Sequence, residues 1–215
     1  MNTRPPTRPG RSRPVCRCHG LAWLSLALLF LSFVPARLGA TSVIAPSFDQ
    51  LVNQADYIVR ARVKSVSSEW RTHGTHRYIL TKVELDVSAV ISGKPPQPLV
   101  LEMLGGKVGE DEMVVEGAPK FQVRDEDVLF IHGNGRQINP LVALMHGRYP
   151  IKNDAKTGRA YMTRSNGARL CSQEEVALPM ETDQPAPWAE RAALTPGDFT
   201  DRIKMTRRTP TPPAP

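Results

Sequence analysis

From residue 57 onward the chain alternates. Tyr57, Val59, Ala61 and Val63 fall on one side of an extended segment, and Arg60, Arg62 and Lys64 on the other. That period of two is the pattern of a half-buried strand with a wet, basic face. A longer alternation follows, in which Ile79, Thr81, Val83, Leu85, Val87, Ala89 and Ile91 interleave with Lys82, Glu84, Asp86 and Ser88. A strand of that length is expected to bend or to be shared between two sheets. "RTHGT" (71–75) turns the chain between them. The hairpin so formed sets Glu84 and Asp86 near Arg60 and Arg62, which neutralises the basic stripe rather than leaving it as a nucleic-acid track.

The strand pattern continues after the break "SGKPPQP". "LVLEML" predicts a third strand, "DVLFIH" and "QINPLVALMHGRYPI" a hairpin about Asn134-Gly135, and "RYPIKNDAKTGRAYM" another with Asn153, Asp154 and Gly158 in its turn. Helical signals stand only at the two ends. Ser47 caps a short helix, with Gln50 at the capping-box position and Phe48, Leu51 and Val52 on one side. Thr195, Pro196 and Asp198 open a second one, Phe199 and Ile203 form its small apolar face, and Arg207 and Arg208 close it. Between Met162 and this helix no steady period survives, which predicts a linker or extended arm.

The expected fold is therefore mainly β. It is a small closed or partly open antiparallel barrel of the OB kind, with a short N-terminal helix and one C-terminal helix. The expected boundaries are a signal peptide at 1–40, a β-barrel domain at 41–165, and a linker, short helix and Pro-rich tail at 166–215.

Composition changes this picture in one respect. The formal charge of +7 would point to a nucleic-acid partner, but Arg4, Arg8, Arg11, Arg13, Arg17 and Arg37 all lie in the first 40 residues with no acid among them. Without them the charge falls to +1. The basic leader precedes an apolar run, "LAWLSLALLFLSFV" (21–34), and then "PARLGA", the order of a secretory signal peptide. Cleavage is expected after Ala40, with Ala36 the competing place. The apolar run is shorter than the roughly 20 residues a spanning helix needs. The protein is thus expected to be exported to the periplasm or the extracellular space, with no stable membrane span after cleavage.

Cys16 and Cys18 belong to the leader, so the exported chain keeps Cys171 alone and makes no internal disulfide. The Gly-rich stretch "LGGKVGEDEMVVEGAPKF" (104–121) invites a phosphate-binding reading and fails it. A phosphate loop would need glycine at Leu101 and a hydroxyl at Val108 beside Gly106-Lys107. The stretch reads as a turn between strands. Glu110, Asp111, Glu112 and Glu116 lack the alternate spacing of a calcium loop, and Asp125, Glu126 and Asp127 read as a turn into the next strand. His73 and His76 do not by themselves close a zinc tetrahedron, and nothing in the spacing brings His132 or His146 to them. No G-x-S-x-G element is present. Trp70 and Trp188 read as lids on the core edge or as contact points. No catalytic, cofactor-binding or metal-ligating residue is assigned.

The run "F..LV..AD.IV.A.V..V...W", then "I.T.V.L.V..VI.G", "L..LGG..G.....VEGAPKF...D..LFI" and "G.YPI..D..TG" is similar to a family of uncharacterised secreted bacterial proteins, over residues 48–160. "AD.IV.A.V" followed by a β-meander also resembles the netrin-type OB barrels, which include inhibitors of metalloproteases. The resemblance implies a barrel. The inhibitors act through an N-terminal cysteine, and a chain cut before Thr41 has none nearby. The expected function is a secreted, non-catalytic binding module for an extracytoplasmic protein or envelope component. The alternatives are a hydrolase, metal-dependent or otherwise, built from scattered residues such as His73, His76, Glu110 and His132, and a protease-inhibitor-like partner protein.

Overall fold

The computed structural model describes residues 44–180 and 192–208. The expected signal peptide with Cys16, Cys18, Ala36 and Ala40, the residue Trp188, and the Pro-rich end after Arg208 lie outside the described residues.

The alternating segments become strands. β1 (Tyr57–His73) and β2 (His76–Ser92) form the long hairpin, and β3 (Leu99–Leu104) lies against β2. β4 (Gly106–Val108) and β5 (Asp111–Met113) make a small separate hairpin from the Gly-rich stretch. β6 (Glu126–Ile131) pairs with β1, β7 (Arg148–Asn153) with β6, and β8 (Ala160–Met162) with β7. All pairings are antiparallel, and the six-stranded sheet runs β3-β2-β1-β6-β7-β8. The mainly β class is as expected. The outer strands β3 and β8 are not paired with each other among the described residues, so no closed barrel is observed.

β1 and β2 each span 17 residues, on the order of 55 Å of strand at ~3.3 Å per residue. They curl rather than run straight. The β1–β2 register slips between Ile58 and Val59, Arg60 and Ala61, and Val63 and Ser65. The last slip explains a departure from strict alternation. After Val63 the next inward residue is Val66, opposite Val83, because a bulge inserts an extra residue and bends the strand.

The sheet consequently has two cores. On one face Ile58, Val128, Phe130, Tyr149, Ile151 and Met162 are covered by two helices, α1 (Phe48–Gln54) and α2 (Pro196–Arg208). On the other face Val59, Ala61, Val63, Leu129 and Ile131 pack against Val83, Leu85, Leu99, Leu101 and Met103 as the sheet folds over itself.

Both helices start as their cap residues require. Ser47 Oγ accepts from Gln50 N, and Ser47 N donates to Gln50 Oε1. At α2, Thr195 and Asp198 exchange the equivalent bonds. α2 docks on the sheet: Phe199 is fully buried, its ring 5.1 Å from Tyr149, 5.8 Å from Phe48 and 6.1 Å from Phe130 between centroids.

The segment after Met162, expected to be a linker or extended arm, supplies Leu170 and Val176 to the first core, and Leu170 and Leu194 bond across from β8. Its lack of period reflects a path of single bonds along a sheet edge, not an absence of packing. The Asn134-Gly135 turn forms, with Arg136 N donating to Gly133 O (2.9 Å), but β6 and β7 pair across a longer connection than that turn alone. Asn139 reaches β3, its N–H donating to Glu102 O (2.8 Å) and its Oδ1 accepting from Leu104 N (2.7 Å). Ile131 then meets Leu141 at a single bridge only. The local turn and the tertiary contact of Asn139 coexist in that connection.

Candidate functional site

The second core is not filled to its end. Where β1, β2 and β3 curl under the β4–β5 hairpin, a groove of about 280 Å³ remains. Its floor is apolar: Val66, Val83 and Met103 from the sheet, Met113 and Val115 from the hairpin, and Phe121 from the loop that follows. Lys107, Glu112 and Lys120 stand at its edge. The side chains of Lys107 and Lys120 are in no ion pair among the described residues.

The Gly-rich stretch builds the groove because only glycine permits the crossing. Gly106 has φ +134, and a Cβ there would fall 2.2 Å from Thr81 Oγ1 and 2.5 Å from Ser68 Oγ. Those hydroxyls are 2.8 Å apart, and Thr81 Oγ1 donates its one hydrogen to Gly105 O at 2.6 Å. Ser68 must then be the donor to Thr81, which leaves the lone pairs of Ser68 Oγ as acceptors at the groove.

The wall of the groove, residues 115–121, is held from behind. Met145 N donates to Gly117 O at 3.2 Å. The Arg148 guanidinium donates to Lys120 O, lies 4.4 Å from the Phe121 ring centroid, and pairs with Asp125 (2.7 Å) and the fully buried Asp127 (2.9 Å). Burial raises the Asp127 carboxyl above its ordinary range, and the Arg148 charge only partly opposes this.

A second set of buried polar groups lies against the helix-covered face. His146, Tyr149, Arg164 and Glu175 are all buried. Arg164 is held by the carbonyls of Leu178 and Pro179. Burial, with the Arg164 charge adding, pushes His146 down to about 4. Burial also raises the Tyr149 hydroxyl and lowers Arg164. Neither His146 Nδ1 nor Tyr149 Oη has a hydrogen-bond partner among the described residues. Sequence reasoning missed this set because its members are spread from residue 146 to 175 and share no motif.

The scattered residues of the hydrolase reading are not brought together. His73 and His76 face each other across the tip of the β1–β2 hairpin. Glu110 is in the turn of the β4–β5 hairpin. His132 is near the opposite end of β1 from the tip, with its Nδ1 3.3 Å from Asp56 Oδ1. No group of three or more His, Cys, Asp or Glu with metal-holding geometry occurs among the described residues. Of the acidic stretches, Asp125 and Asp127 bind Arg148 and Glu126 binds Arg60 at 2.7 Å. Lys64 pairs with Glu84 at 2.6 Å, and Asp86 stands opposite Arg62. The basic stripe is thus met by acids, although the partner of Arg60 comes from β6. Cys171 is half-buried, its N–H donating to Glu175 Oε2. Trp70 carries the Arg77 guanidinium 4.1 Å above its ring.

No family model matches the chain, and a comparison with curated protein sequences returned no match.

Proposed function

We propose that the protein is an exported, non-catalytic binding module, a partly open barrel-like sheet whose groove at the open end of the second core receives a segment of a partner outside the cytoplasm. The observation that carries this reading is the groove itself: an apolar floor, one hydroxyl acceptor and two uncommitted lysines at the edge. An apolar concavity with few, placed polar groups is the usual form of a binding site. The floor suits an aliphatic or aromatic side chain, and the lysines suit a neighbouring carboxylate. That combination favours a protein segment over a glycan. Hydrolysis has no comparable support, since the histidines and Glu110 stand in separate places.

Val114 offers the test. It is 68% exposed beside the groove, so its replacement leaves the cores intact. Wild-type protein immobilised over an extract of the exporting cell's envelope is expected to retain a partner, and Val114→Asp combined with Lys120→Glu is expected to lose it. Equal retention by both would exclude the groove as the site. Stoichiometric zinc or calcium in the purified protein would turn the reading toward an enzyme.

A further inference from the structure

We propose that the buried turn carrying His146 is an acid-sensitive latch on the groove wall: the neutral imidazole keeps the turn seated, and protonation frees the turn and, with it, Gly117. The inference rests on the groove being the binding site and adds regulation to it.

The mechanical link is short. The turn Leu144–Gly147 presents Met145 N to Gly117 O, in the middle of the wall. On its other side Ser165 Oγ is 2.6 Å from Met145 O and 2.9 Å from Arg148 O. The turn enters through two consecutive left-handed residues that are not glycine, Ala143 (φ 48) and Leu144 (φ 54). Such backbone persists only where its surroundings hold it. Here backbone bonds hold it, Leu144 N donating to Leu141 O (3.3 Å) and His146 N to Ala143 O (3.1 Å), and the same turn seats the His146 side chain at 3% exposure.

Those groups do not welcome a second cation. Arg164, from the segment after β8, acts on His146, while Tyr149 of β7 and Glu175 of the later 3₁₀ turn act on Arg164. Arg148, next to Tyr149 in the strand, is committed to Asp125 and Asp127 on the opposite face. An imidazolium at His146 would add a charge beside a buried guanidinium, with no acceptor for Nδ1.

The sign follows from burial. In the closed state the imidazole gives up its proton down to about pH 4, whereas a freed histidine titrates near ~6.5. Below that value the open state takes a proton the closed state refuses, so opening is favoured as pH falls. From pH 7 to pH 5 the open fraction is expected to rise roughly twentyfold. Asp127 acts in the opposite sense, because its raised carboxyl favours the proton in the closed state. It belongs to β6, however, and does not leave with the turn.

Hydrogen exchange of the exported protein, corrected for the intrinsic pH dependence, tests the latch without any ligand. The Met145 amide and residues 115–121 are expected to lose protection between pH 7 and pH 5, while β6 keeps its own. His146→Phe, which carries no proton, is expected to remove that pH dependence. Should this variant not fold, the imidazole resonance of the wild type serves instead, and it is expected to titrate far below its ordinary range. Wall protection as insensitive to pH as β6, the same loss in His146→Phe, or an ordinary imidazole titration would overturn the proposal. Failure to capture a partner leaves this experiment standing, and an absent latch leaves the groove reading standing.

Discussion

The two faces of the sheet are closed by different means. The first face is covered by helices that bring aromatic rings to meet Phe130 and Tyr149. The second is closed by the sheet folding over itself, mainly with aliphatic side chains, joined by Tyr57 and Phe121. A helix is a separate piece and can settle until it fits. A curling sheet is constrained by its own register, and at its end it leaves the space between β3 and the Gly-rich hairpin incompletely filled. The groove is thus a consequence of how the second core is closed. The difference also separates two kinds of anchor: apolar rings behind the first face, and a buried ion pair behind the groove wall.

The contrast can be broken at three places, in decreasing order of effect. Phe199→Ala removes the ring that touches Phe48, Phe130 and Tyr149, and is expected to cost about 3–5 kcal/mol in urea unfolding. The wall of the groove should keep its exchange protection relative to the rest. If wall and helix lose protection together, the two cores are one cooperative unit. Arg148→Met leaves the fully buried Asp127 without its ion-pair partner, while Asp125 keeps Lys152 at 3.8 Å, and is expected to cost about 3 kcal/mol. Adding Asp127→Leu should recover part of that loss, because the buried charge then goes too. No recovery in the double variant would mean that Arg148 acts through Phe121 and Lys120 alone. Thr195→Ala removes the α2 cap and is expected to lower stability by ~1 kcal/mol, with no change in binding at the groove. An effect on partner retention equal to that of Val114→Asp would break the separation of the two faces.

Several parts of this were legible in the residue order. The capping residues Ser47 with Gln50 and Thr195 with Asp198 announced both helices, since a cap is a local bond between neighbours. The alternation of β1 and β2 announced their pairing, and Asp154 announced the β7–β8 turn, where its carboxylate accepts from Lys156 N and Thr157 N. The Gly-rich stretch read as a turn, but its contact with Ser68 and Thr81 had no signal, because those residues lie in strands 25 to 38 positions upstream of Gly106. The packing of Leu170 and Val176 was illegible for a related reason. Each is held at an edge by one or two bonds, and single bonds impose no period.

The order of residues by itself determined the long strands, the helix ends and the Lys64–Glu84 pairing across the first hairpin, all of which depend on neighbours or on one hairpin. Only the tertiary structure decided that β3 and β8 stay unpaired with each other among the described residues, that α2 docks through Phe199, and that His146 and Asp127 are both buried. Those outcomes depend on bulges that set curvature and on desolvation by distant segments. Both arise from the three-dimensional sum of many weak contacts, which no single stretch of chain encodes.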